Sequence, residues 1–163
     1  MNHKQIKELI RHTLKKLGMW SEQAEELVFL TGLVESRYEY ISQTGSGIAR
    51  SFWQVESATA KDAIDNYLIY RKSRLRKVAK IMNVSSKKLS SMSDNDLKEF
   101  LWGNIVAGIV FCRLKYWRVP RPLPNDLDGM AKYWKKYYNT ESGAGTIAHF
   151  MENADTRKDR KKS

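Results

Sequence analysis

The stretch from Ser21 to Arg37, SEQAEELVFLTGLVESR, decides how the rest of the chain is read. Ser21 is placed to cap a helix, and Glu22 and Glu25 fall in its first turn, where unpaired backbone N–H groups and the helix dipole favour negative charge. Ala24, Leu27, Val28, Thr31 and Val34 recur at spacings of three and four, the period of one apolar helix face. Glu35 continues that face four residues after Thr31, so the spacing predicts a carboxylate at the C-terminal end of the helix and on its core side. Ionising a carboxylate away from water is costly, which raises its pKa and suits it to work as a general acid. The bland alternative is a solvated glutamate, or one paired with Arg37 or Arg50. A polar, glycine-containing loop from Ser42 to Gln54 follows and ends in Phe52 and Trp53. A lone acid followed by such a loop points to a glycosidase cleft.

On the N-terminal side, residues 3–17 read as a helix with Ile6, Leu9, Ile10, Leu14 and Leu17 inward and Gly18 as its stop. On the other side, Ser57 is placed to cap a helix to about Tyr70. A basic segment then runs to Met82, continuous with that helix or kinked against it. Residues 83–93 are a serine-rich connection with a short turn inside. Ser93 or Asp94 caps the longest predicted helix, about 95–117, with Leu97, Leu101, Ile105, Gly108 and Cys112 inward; it is expected to be the central core helix. Gly103 and Gly108 weaken a helix relative to alanine, so close packing against a neighbour is the expected reason for them. Pro120 to Pro124 form an extended strap, Asn125 caps a helix to about Tyr138, and Thr146 begins a last short helix. No alternating strand pattern is convincing, although residues 41–55 leave room for a small hairpin. The expectation is a mainly α single domain over residues 1–155, with a basic tail at 156–163.

With 163 residues, 42% of them hydrophobic, the chain is long enough and apolar enough to bury a core. The single Cys112 excludes an internal disulfide and reads as a small buried hydrophobe rather than a nucleophile. His3, His12 and His149 do not make an HExxH or Cys/His pattern, so neither metal nor cofactor is expected. Gly45-Ser46-Gly47 lacks the lysine and preceding strand of a phosphate loop, and Ser85-Ser86-Lys87-Lys88 matches SxxK without its partner motifs. Charged residues from His3 to Lys16 argue against a signal peptide, and the apolar run Ile105 to Cys112 is too short to span a bilayer. The formal charge of +11 points to a polyanionic partner: nucleic acid, an anionic membrane surface or the acidic bacterial wall. Arg71 to Lys77 reads as the wet face of a helix.

Four short motifs in order add a family resemblance. Glu35-Ser36 ends a helix; Ser51-Phe52-Trp53-Gln54 precedes Ser57-Ala58-Thr59-Ala60; Asn104-Ile105-Val106-Ala107-Gly108 is followed by Arg113-Leu114; and Met130-Ala131-Lys132-Tyr133-Trp134 comes last. The set, covering about residues 22–140, resembles the lysozyme-like superfamily, and within it the soluble lytic transglycosylase domains. These carry Glu-Ser, Gly-Leu-Met-Gln, Pro-Ala-Thr-Ala, Asn-Ile-x-Ala-Gly and Ala-Ala-Tyr-Asn in that order. Two departures stand out: Ser51 occupies the place of a glycine, and Trp134 that of an asparagine.

The resemblance implies a lysozyme-like helical domain with a long central helix and a loop or small β-hairpin lining a cleft. It implies cleavage of the β-1,4 bond between N-acetylmuramic acid and N-acetylglucosamine in bacterial peptidoglycan, with Glu35 as the acid and then the base. Gln54 and Tyr133 would hold groups around the cleaved sugar, with Tyr137 and Tyr138 as rivals to Tyr133. Ser36 and Asn104 would orient the loop or the acid, Ser51 belongs to the loop, and Phe52 or Trp53 would line a subsite. Core packing is an equal reading for Trp53. Ordinary glycoside hydrolysis needs a second carboxylate, and Gln54-Val55-Glu56 resembles the Gln-Val-Asp of goose-type lysozymes, so Glu56 is the candidate. A bacteriophage endolysin or virion-associated lysin, made in the host cytoplasm, fits the size and charge, with other virion proteins as further partners. The rivals are an inactive structural virion protein and a basic helical nucleic-acid-binding module, the latter without a defensible helix-turn-helix signature.

Overall fold

The computed structural model describes residues 1–43, 47–139 and 143–159, without the side chains of 155–159. Helix α1 (His3–Leu17) starts where the Asn2 side chain accepts from the N–H groups of Lys4 and Gln5. It stops at Gly18, whose φ of 69° lies in the left-handed region that glycine enters without a Cβ penalty. Ile6, Ile10, Leu14 and Leu17 are buried as the spacing predicts. Helix α2 (Glu22–Ser36) is capped by the Ser21 hydroxyl, which accepts from Ala24 N–H.

The one-sided apolar stripe expected for α2 is corrected by its surroundings. Phe29, Leu30 and Leu33 are buried along with Ala24, Leu27, Val28, Thr31 and Val34, so α2 is an inner helix enclosed on nearly every side. Glu25, expected as a simple dipole partner, is itself buried. It accepts from both Arg11 Nε and Nη2 at 2.8 Å and from Trp20 Nε1 at 2.7 Å.

The rest of the chain wraps α2 in short helices. Helix α3 (Ser57–Asn66) gives way to a 3₁₀ turn at Leu68–Tyr70 before α4 (Lys72–Ile81), so the segment is kinked rather than continuous. Ser57 is the first residue of α3, with Glu56 at the cap position. Helix α5 (Ser86–Ser91) is the turn inside the serine-rich connection. The single helix expected over 95–117 is two: α6 (Asp94–Gly103) and α7 (Ile105–Trp117). Asn104 separates them in extended conformation (φ −135°, ψ 101°); its side-chain oxygen caps Ala107 N–H while its amide donates to Met82 C=O. Continuous apolar periodicity hid that cap. Helix α7 shares the central position with α2, burying Ala107 through Leu114 and Tyr116.

Helix α8 (Leu127–Trp134) is capped by Asp126 rather than Asn125 and runs into a π turn at Lys135–Asn139. Helix α9 (Ile147–Asp159) closes the fold, with Phe150 and Ala154 in the core; it is longer than the short helix expected. Position 155 falls within α9, and the side chains of the tail called at 156–163 lie outside the described residues. Residues 41–55 form no strand among the described residues, only isolated antiparallel bridges Ser42–Arg50 and Arg50–Val55. The architecture is mainly α, around one core to which every helix contributes.

Candidate active site

The last turn of α2 places Glu35 on a cleft of about 790 Å3. Directly after it, Arg37 (φ 55°) and Tyr38 (φ 58°) are both left-handed, a costly pair for residues with a Cβ. Ser36 helps hold this reversal: its hydroxyl donates to Gly32 C=O and accepts from Tyr38 N–H. The Tyr38 ring folds back over Gly32, where a Cβ would clash with the tyrosine oxygen, and its hydroxyl donates to Phe29 C=O. Glu35 is thereby fixed on the cleft side of a rigid turn.

Trp134 Nε1 donates to Glu35 Oε1 at 3.0 Å. Burial pushes the Glu35 carboxyl up to about 7, although the indole donor and the nearby Lys115 ammonium both favour its ionised form. Desolvation wins because the opposing contribution is one neutral donor and one charge not in ion-pair contact. A group with that pKa is half protonated at neutral pH, as a general acid requires.

The π turn supplies the wall beside it. Trp134, Tyr138 and Asn139 all line the cleft, an alignment that a wide turn favours over regular α geometry. Tyr138 donates through its hydroxyl to Trp53 C=O at 2.5 Å, and its own C=O accepts from Lys115 Nζ at 2.7 Å. That ammonium lies 4.5 Å from the Tyr138 ring centre. Burial lowers the Lys115 pKa, while Glu35 and Glu56 pull it up. Gly145 packs flat on Trp134, where a Cβ would meet the indole at 2.5 Å. Gln54, Glu56, Thr59, Tyr40 and His149 also line it.

Of the residues expected at the site, Glu35, Gln54 and Glu56 share the cleft and the others do not line it. Gln54 (φ 48°) donates to Ser51 C=O, and Glu56 is exposed at the start of α3. Ser36 acts behind the wall, as described. Ser51 and Phe52 are buried, and the fully buried Trp53 donates to Val28 C=O, so these aromatics are core rather than subsite. Ser51 has φ 68°, the conformation a glycine enters freely. Asn104 is a helix cap, and Tyr133 packs on Tyr116 and Tyr137 while donating to Arg121 C=O at 3.2 Å. Of Tyr133 and its rivals Tyr137 and Tyr138, Tyr138 is the one that lines the cleft.

Lys115 and Trp134 are site residues that the sequence motifs do not point to. The signal for Lys115 is a cation inside the otherwise apolar Ile105 to Trp117 segment, shared only with Arg113. That for Trp134 is its place in a family motif that carries asparagine. Among the described residues no three His, Cys, Asp or Glu side chains gather as a metal site, and no helix is long and apolar enough to cross a membrane. Comparison with protein-family models, with curated proteins and with solved structures gave no match for this chain.

Proposed function

We propose that this chain is a glycosidase that cleaves the glycan backbone of bacterial peptidoglycan, with Glu35 as its general acid. One observation carries the proposal: a single carboxyl, raised by burial to about 7, faces an open polar cleft large enough for an extended oligosaccharide. The substrate class comes from the resemblance of Glu35-Ser36, Gln54 and their companions to lytic transglycosylase motifs. In this reading Glu35 protonates the glycosidic oxygen, and the departing sugar leaves with that proton. The substrate's acetamido group supports the developing positive charge at C1. The Glu35 carboxylate then takes the proton of the sugar's own C6 hydroxyl as that oxygen bonds to C1, giving a 1,6-anhydro product. Lys115 and Trp134 stabilise the carboxylate between the two steps. A bacteriophage endolysin or virion-associated lysin is the role that agrees with a charge of +11 and an anionic substrate.

A second reading has a specific observation behind it. Glu56 lines the same cleft as Glu35, so water activated there would give hydrolysis instead. Wild type, Glu35→Gln and Glu56→Gln should be incubated with purified sacculi and the released muropeptides analysed by mass. Anhydro products that vanish in Glu35→Gln and persist in Glu56→Gln are expected. Reducing-end products lost in both variants would establish the two-acid hydrolase. Equal release by wild type and Glu35→Gln would sink both readings.

A further inference from the structure

No Asp or Glu occurs between Asp65 and Asp94, a stretch that carries eight lysines and arginines. The structure turns that bias into a surface. Helix α4 buries Leu75, Val78 and Ala79 and leaves Lys72, Arg76, Lys77 and Lys80 exposed, and none of its cations joins an ion pair among the described residues. At one end the surface meets the last turn of α1, where Lys15 and Lys16 lie and where Lys77 approaches Gly18. At the other end it is braced by two aromatic rings. Arg71 lies 4.0 Å from the Tyr67 ring centre and Arg118 5.7 Å from it; Arg74 and Arg113 lie 5.0 and 5.1 Å from that of Trp117. Tyr67 and Trp117 are joined by an Nε1–H to hydroxyl bond of 2.9 Å.

Two features identify what this surface takes. First, guanidinium groups already occupy the ring faces, so Tyr67 and Trp117 are not laid out as platforms for nucleic-acid bases; the surface offers charge and N–H donors, which match phosphate oxygens. Second, it is continuous with the cleft. Arg118, tied on one side to Asp62 at 2.7 Å, lines a hollow of about 320 Å3 that shares Thr59, Phe111 and Lys115 with the cleft wall. A phosphate polymer attached to the glycan in the cleft would leave through that hollow onto α4.

We infer that the α4 face, from Lys77 through Arg71 to Arg118, is a binding surface for a phosphodiester polymer borne on the cell-wall glycan. The surface holds the enzyme on its insoluble substrate while the cleft works. This rests on the proposed function for the identity of the glycan, but its own signature is binding, independent of cleavage.

The test uses the full chain in a Glu35→Gln background, so that walls stay intact. Lys72→Gln/Arg76→Gln/Lys77→Gln changes three exposed side chains outside the cleft. The ligand is a cell wall carrying polyol-phosphate polymer, compared with the same wall stripped of that polymer by acid. The triple variant should bind the phosphate-bearing wall at least about tenfold more weakly, with the salt slope of log K reduced by roughly 2 to 3, and stripping should remove the difference. With Glu35 restored, the triple variant should digest stripped walls at the wild-type rate. Unchanged binding by the triple variant, or no loss on stripping, overturns the inference. So does tighter binding to duplex DNA, or to vesicles of equal phosphatidylglycerol and phosphatidylcholine, than to walls. Equal digestion by wild type and Glu35→Gln would instead overturn the catalytic reading and leave the binding result standing.

Discussion

The behaviour of Glu35 with pH separates a working acid from a merely buried one. Catalysis as an acid needs the protonated form, so activity should fall as pH rises through about 7. Trp134→Phe removes the donor that favours the carboxylate, and Lys115→Met removes a positive charge with the same effect. Each substitution should therefore move the alkaline limb of the pH–rate profile upward, even if the maximum rate falls; a downward shift would contradict the assignment. The same burial has a stability consequence. The folded carboxyl titrates near 7 against 4.5 for an ordinary glutamate, so the native state binds the proton more tightly. Its contribution is favourable below about pH 4.5, declines through the window up to about 7, and is lost above it. Glu35→Gln should thus be more stable than wild type at pH 8 by up to about 3 kcal/mol, and near-neutral at pH 4, by urea denaturation. The position of Glu35 was legible because α2 has a clear cap and period. Trp134 was not, because a contact between residues 99 apart in sequence leaves no local pattern.

Among the elements, the break at Asn104 is the clearest departure from what periodicity suggested. Leu97, Leu101, Ile105, Gly108 and Cys112 keep helical spacing through the break, since both helices face the same core. The sign that was present is an asparagine three residues before Ala107, a cap whose meaning depends on its amide reaching Met82 C=O. The π turn was equally hidden, because nothing in Lys135 to Asn139 prescribes a wide turn. The cap at Ser21 and the stop at Gly18 were more transparent because they act through neighbours in sequence. Asn104→Ala should lower stability by about 1 to 2 kcal/mol and leave the cleft residues in place, so that the rate at saturating substrate is kept at temperatures well below unfolding. The two glycines expected to pack closely differ. A Cβ at Gly108 would come within 2.8 Å of Ser51 and Trp53, whereas at Gly103 it would meet nothing within 4 Å. Gly108→Ala should cost about 1 to 3 kcal/mol, and Gly103→Ala should be neutral or stabilising by up to about 1 kcal/mol; thermal unfolding of both variants checks the contrast.

At the scale of the molecule, the cleft is held by the core rather than by its own loops. Trp53 shows why: its indole is bonded to α2, its ring meets Gly108 of α7, and its carbonyl accepts from Tyr138 of the π turn. Three walls of the cleft are therefore joined through one fully buried residue, and buried residues from α1 to α9 form one continuous cluster around it. A single core of this kind should unfold as one cooperative unit. Cys112 gives a direct probe, because it is fully buried on α7 beside Tyr138, and burial drives its thiol far above the usual range. In the native state it should resist a thiol reagent at pH 8, both for want of access and for want of thiolate. Along a urea titration the labelled fraction, read by mass after a short pulse, should rise with the same midpoint as the loss of buried-tryptophan fluorescence. Labelling that precedes the fluorescence change would mean that α7 separates from α2 before the rest unfolds. The cleft would then be a seam between two units, and Glu35 and Lys115, one on each helix, would not be held together as firmly as a shared core requires.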